Sequence, residues 1–291
     1  MSHFPSFRLR PVESNPISWV TGTQTSFIGS QVYFWAFIIL GVAVYHFLYV
    51  SAPGGVFQKL FPSVESLSRE VVRLVAGDPW RLPGDPLIWG HLWASLYRIV
   101  PWILFGAAAG YAAGLGSVVI PPIAAVVQNL LPLLFATSRM SLFLILIPVL
   151  GFFEAPKRAL SVWIGFIYIY TAVFSHSSAL LKGSGKDGTA TLGEFAAVVG
   201  MTRWRLVRYC LFPLSLPAFF VSLEMAVSHA WTLLVFTESF TASRGIGYLI
   251  YLAHTQAEYA LLYLATFVLA CCNLLSWGAI RFARQIALRR W

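Results

Sequence analysis

A small group of polar side chains lies inside stretches of the sequence that are otherwise apolar. The group comprises Arg139, Ser222, Glu224, His229 and Glu238. Ionisable groups are costly in such surroundings, so these residues are the first candidates for function. Glu224 and His229 stand five residues apart and could either pair with a neighbouring helix or line a solute path; the sequence leaves both open. Arg139 could bind an anion through its guanidinium or mark a turn, and the turn is the favoured interpretation.

The residue patterns do not indicate an enzyme. No His, Asp or Glu cluster has the spacing of a metal site, and no nucleophile stands beside a base. The stretch GSGKDGT at 183–189 superficially resembles a phosphate-binding loop, but it lacks the leading spaced glycine and a following strand–helix pattern. The three cysteines include one adjacent pair and indicate no disulfide framework. We therefore expect a protein that is not an enzyme and has no cofactor of its own.

The segments that carry the candidate residues are strongly apolar. Of the 291 residues, 58% are hydrophobic and 11% are charged, whereas about a quarter of a soluble domain is charged. Six apolar runs are long enough to cross a bilayer: 32–50, 92–116, 120–153, 159–181, 211–237 and 259–280. The sequence predicts an all-α polytopic membrane protein of about six transmembrane helices, with a cytoplasmic segment 1–31, a transmembrane domain 32–285 and a cytoplasmic tail 286–291.

Two of these runs and one polar segment need separate interpretation. The first run has 19 residues, more than the apolar region of a secretory signal, so an uncleaved span is favoured over a cleaved leader. The third run is either one long tilted or kinked helix, or a helix plus a short re-entrant piece, because prolines and the polar TSRMS at 137–141 interrupt it. Residues 63–76 are expected to form an amphipathic helix that lies on the membrane and is capped by Ser63.

The basic excess follows from topology rather than from nucleic-acid binding. With both termini in the cytoplasm, Lys and Arg divide 11 inside to 9 outside or within the membrane. The outer set is interleaved with acidic residues, as the positive-inside rule leads one to expect. The net charge of +9 therefore predicts no nucleic-acid partner, and the abundant Tyr and Trp residues are assigned to the aromatic belts of a membrane protein.

A short amphipathic segment separates the fourth and fifth runs. Thr191 and Glu194 have the spacing of a capping box, which predicts the start of a helix. Gly200 is expected to end that helix, and a second short helix, TRWRLVRY at 202–209, carries three arginines. Pro213 suits the first turn of the next span. The sequence thus predicts a compact knob of two short helices joined at a glycine, the alternative being a capped loop whose arginines bind lipid headgroups.

The knob resembles a known signature. Its residues Glu194, Ala196 and Gly200, followed by Pro213 and Pro217, resemble the EAA motif of bacterial ABC importer permeases. Other stretches resemble the nitrate/sulfonate/taurine/bicarbonate branch of that family: FPS at 61–63, SLYR at 95–98, the glycines 106, 110 and 114, GFFEAPK at 151–157, Ala230–Trp231 with Glu238, and GIGYLI at 245–250. Four-residue glycine spacing also predicts close helix packing. The chain departs from the branch at Ser222, where glycine is usual, and in its longer third run.

This resemblance implies the type I ABC importer permease fold in a bacterial inner (plasma) membrane. Two permease copies, a homodimer or a heterodimer with a second permease, would surround one translocation path. An ABC ATPase subunit, which holds the ATP, would bind below, and a periplasmic or lipid-anchored substrate-binding protein would dock outside. The coupling loop 182–210 would bind the ATPase through Glu194, Ala196, Ala197, Gly200, Met201 and Arg203.

The resemblance further implies a small anion as solute, such as sulfonate or taurine, nitrate or bicarbonate. Arg98 and Arg139 are expected toward the outer half of their spans, where a guanidinium could replace the hydration shell of an anion. The alternatives are that Arg98 only anchors a helix end by snorkelling and that the altered third run suits a neutral or larger organic solute. The rival interpretation is an ATP-independent secondary transporter or channel, but the sequence has no detectable inverted repeat. Copurification of an ATPase subunit would distinguish the two classes.

Overall fold

The computed structural model describes residues 62–76, 88–182 and 191–289, together with seven residues between positions 36 and 47. The chain divides into two compact units, Met1–Phe61 and Pro62–Trp291. The described residues of the first unit are helical and fall within the predicted first span. The rest of that span, the segment 1–31 and the loop 183–190 lie outside the described residues.

The second unit is all-α wherever it is described. Its helices are α1 Val64–Ala76, α2 Ile88–Val119, α3 Pro121–Ala136, α4 Arg139–Leu150, α5 Ala155–Lys182, α6 Leu192–Val199, α7 Arg203–Leu206, α8 Phe212–Thr241, α9 Ile246–Thr255 and α10 Tyr259–Leu288. A π-helical turn, Val207–Leu211, joins α7 to α8. Within the described ranges, four continuous helices are long and apolar enough to span a membrane: Ile88–Val119, Ala155–Lys182, Arg203–Thr241 and Tyr259–Leu288. The predicted all-α polytopic fold is confirmed.

Helix α1 begins at its predicted cap. The backbone N–H of Ser66 donates to Ser63 Oγ over 3.1 Å, which satisfies one of the free amides at the helix start. Glu65 in the first turn and Arg73 in the last turn carry charges opposite in sign to the nearby ends of the helix dipole, which stabilises the helix. The location of α1 on the membrane surface stays a prediction.

Helices α2 and α5 pack backbone against backbone. A Cβ atom added at Gly106 or Gly110 of α2 would collide with the main chain of Val162 or Phe166 of α5. Gly165 of α5 faces the main chain of α2 in the same way. The close packing predicted from the four-residue glycine spacing is therefore confirmed, and α2, α5 and α8 together enclose most of the buried apolar core.

The third predicted run is broken into two helices. Thr137 and Ser138 have extended backbones, with ψ of 125° and 122°, between α3 and α4. The Thr137 hydroxyl donates to the carbonyl oxygen of Leu133 over 2.9 Å, and such local side-chain bonds compete with helix continuation. The alternative of one long helix is thus wrong, whereas the path of α3 and α4 through the membrane stays a prediction.

The knob differs from the prediction at its second helix. That helix does not end before the span, because Arg203–Thr241 is continuous. Pro213 has no amide proton, and the π-helical turn before it absorbs the irregularity: the N–H of Phe212 reaches the carbonyl of Val207, five residues back. The helix that contains the fifth apolar run therefore begins at Arg203, before that run starts at residue 211.

Candidate functional site

A cavity of about 300 Å³ lies at the break between α3 and α4. It is lined by Phe135, Ala136, Thr137, Ser138, Arg139 and Met140 from the break, and by His229, Thr232 and Leu233 from α8. Two of the residues singled out from the sequence, Arg139 and His229, therefore meet in one place. We call this space the Arg139 cavity.

Arg139 is held in place by an aromatic ring of α5. Its Nη2 donates to the Tyr168 hydroxyl over 2.6 Å, and its guanidinium carbon lies 5.4 Å from the centre of that ring. Arg139 is also the first residue of the 12-residue helix α4, whose first-turn amides have no carbonyl partner within the helix. A guanidinium and the positive end of a helix dipole thus converge on the cavity, and both favour an anion.

His229 reaches the same cavity from α8. Its ring centre lies 4.9 Å from that of Tyr168. Its Nδ1 stands 2.9 Å from the carbonyl oxygen of Met225, within hydrogen-bond distance.

The Arg139 cavity lies midway along its helices. Tyr168 is the fourteenth of the 28 residues of α5, about 20 Å from either helix end at ~1.5 Å per residue. Discontinuous helices near the middle of a membrane-spanning bundle are typical of solute-binding sites in transporters. Arg139 follows a break between two helices, and the cavity lies away from the ends of α5; a role for Arg139 in a solute path stays a prediction.

The other two polar candidates of α8 lie outside this cavity. Glu224 faces α10, where its Oε2 pairs with Arg281 Nε at 3.5 Å. Ser222 is buried, and its hydroxyl donates to the carbonyl of Phe219 over 2.9 Å. Glu224 thus both pairs with a neighbouring helix and borders a polar space beside α10, whereas His229 borders the Arg139 cavity. Whether either residue lines a solute path stays a prediction.

Glu238 belongs to a buried polar junction at the opposite end of α8 from the knob. It is fully buried and accepts from Arg98 Nη1 at 2.7 Å and from Ser95 Oγ at 2.9 Å. Its other oxygen accepts from the backbone N–H of Gly247 at 2.8 Å. Glu238 therefore fixes the start of α9 and does not face an open path. We call the group Arg98, Glu154, Lys157 and Glu238 the Arg98 junction.

Arg98 is fully occupied within this junction. Its Nε and Nη2 donate to the two oxygens of Glu154 over 2.7 and 2.9 Å, while Nη1 donates to Glu238 and to the carbonyl of Arg244. The expectation that Arg98 contacts a passing anion is therefore wrong, because carboxylates of the same chain occupy all three nitrogens.

Glu154 is the member of the Arg98 junction that lies between helices. Burial would by itself raise the pKa of its carboxyl group. The hydrogen bonds and the charge of Arg98, helped by Lys157, outweigh burial and hold this pKa below its ordinary value. Glu154 is therefore ionised at neutral pH and balances the cations beside it.

The predicted coupling helix has the predicted caps. The N–H of Glu194 donates to Thr191 Oγ1 over 3.1 Å, and the N–H of Thr191 donates to Glu194 Oε2 over 2.8 Å, which is a complete capping box. Gly200 ends α6 in the left-handed region, with φ of 69°, and the N–H of Met201 returns to the carbonyl of Ala196 over 2.9 Å. The carboxylate of Glu194 thus serves the helix start.

The knob has several exposed apolar side chains. Four of them are large: Phe195, Val198 and Val199 on α6, and Trp204 on α7. Val198 is 87% exposed, whereas Ala196 on the other face is buried and Ala197 is exposed. Arg203 ties the knob to the end of α2 by donating to the carbonyl of Val119 over 3.3 Å. We call these four side chains the knob face.

Tyr168 and the knob face were not identified from the sequence. Tyr168 is one of 12 tyrosines, and its sequence position carries no signal that distinguishes it from an aromatic-belt residue. The apolar residues 195, 198 and 199 share one side of α6 at helical spacing. This pattern indicates a separate apolar face only once the bounds of the short helix are known.

Comparison with known proteins agrees with this architecture. Residues 190–285 match the family described as "Binding-protein-dependent transport system inner membrane component". The taurine transport system permease protein TauC of Escherichia coli (strain K12) is 25% identical over 170 residues, which are 57% of this chain and 58% of that protein. This relative agrees with the branch that the sequence motifs indicated. The chain is a multi-pass inner-membrane protein, and its residues 190–285 are similar to the inner membrane components of binding-protein-dependent transport systems.

Proposed function

We propose that this chain is the permease subunit of an ABC importer and forms the translocation path for a small anion. The observation that carries the proposal is the Arg139 cavity. There the guanidinium of Arg139 on α4 and the imidazole of His229 on α8 meet at the break between α3 and α4, beside the middle of α5. Buried guanidinium groups replace the hydration of oxyanions with directed hydrogen bonds. Nitrate, bicarbonate and the sulfonate group of taurine or an alkanesulfonate all present the negatively charged oxygens that a guanidinium binds.

The knob face supports a partner on the coupling side. Large apolar patches on a water-facing protein surface are rare unless another protein covers them. The helix that bears this patch is fixed by its capping box and by Gly200, so a force applied to it reaches α8 through the continuous helix Arg203–Thr241. An ATPase subunit that binds the knob face and changes conformation on binding ATP would thus move α8, which lines one side of the Arg139 cavity.

A second copy and a binding protein complete the proposed complex. Phe135 and Met140 at the rim of the Arg139 cavity are exposed in the single chain, so a second permease copy is the natural cover for it. The substrate-binding protein would deliver solute at the end that carries the Arg98 junction, opposite the knob.

The solute proposal is tested by replacing Arg139. Arg139→Gln in proteoliposomes that contain the complete complex should lower uptake of the transported anion about 10- to 100-fold, because a hydrogen bond to a charged group contributes ~1.5–3 kcal/mol. Taurine, an alkanesulfonate, nitrate and bicarbonate are the solutes to compare. Arg158→Gln is the matched control, since Arg158 lies on α5 outside the cavity, over the rings of Tyr97 and Trp102.

Wild-type uptake by the Arg139→Gln protein would remove Arg139 from the path. Failure of the wild type to transport any of the four anions would reject the anion proposal while leaving the coupling proposal intact.

The coupling proposal is tested on the knob face without disturbing its caps. Val198→Asp should leave the permease inserted and folded, because the side chain is 87% exposed. It should abolish copurification of the ATPase subunit and ATP-driven uptake, because a carboxylate would be desolvated in the interface. Ser68→Asp at an exposed polar position of α1 is the control and should keep both activities. Normal assembly of the Val198→Asp protein with the ATPase would show that the knob face does not bind it and that the knob is only a capped loop.

A further inference from the structure

A second polar cavity lies at the carboxyl-terminal end of α10. Its volume is about 550 Å³, and it is lined by Glu224, Arg281, Arg284, Gln285, Leu288 and Arg289. Helices α8 and α10 run antiparallel, as the bond from Trp231 Nε1 to Ser276 Oγ at 3.1 Å and that from Trp277 Nε1 to Ser228 Oγ at 2.7 Å require. The cavity is therefore near the end of the unit that carries the knob. We call it the arginine groove.

The arginine groove has an uncompensated positive charge. Glu224 pairs with Arg281 at 3.5 Å, so those two charges cancel. Among the described residues, no carboxylate pairs with Arg284 or Arg289. The groove thus presents two guanidinium groups to a ligand, and guanidinium groups bind phosphate oxygens through paired hydrogen bonds.

An exposed apolar stripe leads to the groove along α10. Phe267, Leu274 and Arg281 follow one another at seven-residue intervals, which places them on one helix face two turns apart. Phe267 and Leu274 are each 66% exposed. The apolar part of α10 is 11% buried, compared with 39–50% for the other three long apolar helices of the described chain.

We propose that the arginine groove binds the phosphate headgroup of an anionic phospholipid, whose acyl chains lie along Phe267 and Leu274. The cations begin at Arg281, where the apolar run of α10 ends, which is the level of the headgroups. Basic pockets between helices on the cytoplasmic side are suited to acidic headgroups. A soluble phosphate would use the arginines but would leave the adjoining apolar stripe uncovered.

Native mass spectrometry of the purified permease tests this assignment. Titration with dioleoyl-phosphatidylglycerol should give a bound lipid with at least ~10-fold higher affinity than dioleoyl-phosphatidylcholine, because each of the two cations near the headgroup contributes about fivefold. The double variant Arg284→Gln/Arg289→Gln should lose that preference. The matched control is Lys182→Gln/Arg205→Gln, which removes two exposed cations from the same end of the unit outside the groove; it should bind phosphatidylglycerol like the wild type.

Thermal unfolding in detergent shows whether each variant is folded, and the single variant Arg284→Gln, with an intermediate loss, is used if the double variant is not. An equal loss of phosphatidylglycerol affinity in the control would overturn the proposal, because binding would then follow total charge. Displacement of the lipid by inorganic phosphate at equal concentration would overturn it in favour of a soluble anion. Unchanged binding in the groove variants would place the lipid elsewhere.

Discussion

At the scale of single residues, the Arg98 junction brings together pieces of sequence that are far apart in the chain. Arg98, Glu154 and Lys157, and Glu238 come from three separate stretches that were recognised as family-like motifs, and they meet as two cations and two carboxylates. Buried charges are tolerated only when they are paired and hydrogen-bonded in full. These motif residues therefore act mainly on one another, and through Glu238 and Ser95 they hold the amides of Ile246 and Gly247 at the start of α9.

Removal of one member of the Arg98 junction should be costly. Glu238→Gln should lower the free energy of unfolding by about 3–5 kcal/mol, because it leaves the cations of a buried network uncompensated. Denaturant unfolding of the purified permease in detergent measures the change. Glu258→Gln, at an exposed carboxylate before α10, is the control and should change stability by less than ~0.5 kcal/mol. Equal stability of the two variants would show that Glu238 does not stabilise the fold.

At the scale of elements, the glycine face of α2 sets the distance between α2 and α5. Because Gly106 and Gly110 of α2 and Gly165 of α5 have no side chain at the closest approach, the two backbones come close together at these positions. In lipid, such packing replaces the hydrophobic effect as a source of helix association. The α2–α5 pair is thus the fixed wall against which the broken helices α3 and α4 and the cavity are positioned.

The close packing of α2 against α5 is tested by adding a single methyl group at the contact. Gly110→Ala should destabilise the permease by about 1–3 kcal/mol, because the added carbon would lie 2.5 Å from the carbonyl oxygen of Phe166 and would force the helices apart. Gly116→Ala is the matched control on the same helix, since nothing lies within 4 Å of its added carbon. It should be neutral or stabilising, because alanine favours helix more than glycine. The melting temperatures of both variants in detergent give the comparison, and equal melting temperatures would contradict close packing as the source of stability.

At the scale of the whole molecule, the described unit is polar at two ends that differ in character. The Arg98 junction closes one end with balanced, buried charge, while the other end carries the knob face and the arginine groove with exposed cations. The positive-inside rule assigns the second end to the cytoplasm. The proposed importer then receives solute at the Arg98 junction and the ATPase at the knob.

Cysteine labelling tests this orientation. After replacement of Cys210, Cys271 and Cys272 by serine, Ser68→Cys on α1 should react with a membrane-impermeant maleimide added outside intact spheroplasts. Thr202→Cys in the knob should react only after the membrane is opened. Both positions are exposed, so reactivity reports the side of the membrane rather than burial. Labelling of both from the same side would contradict the predicted topology.

The sequence by itself determined the features whose causes lie within a few residues of one another. The apolar runs predicted helices because only a helix satisfies its backbone within one segment in lipid. Thr191, Glu194 and Gly200 predicted both ends of α6, since caps act over three or four residues. The glycine spacing on α2 predicted a packing face for the same reason. Pro213 lies in the first turn of α8 as predicted, but the sequence did not show that a π-helical turn joins α8 to α7 without a break.

Only the tertiary structure decided which distant side chains meet. Arg98 and Arg139 are both arginines of apolar runs, yet the first binds carboxylates 56 and 140 residues away while the second lines a cavity. Glu224 and His229 lie on one helix, but they face different neighbours because five residues turn the helix by about 140°. Which helix stands opposite a given face depends on the register and packing of the whole bundle. Sequence spacing within one segment does not contain that information.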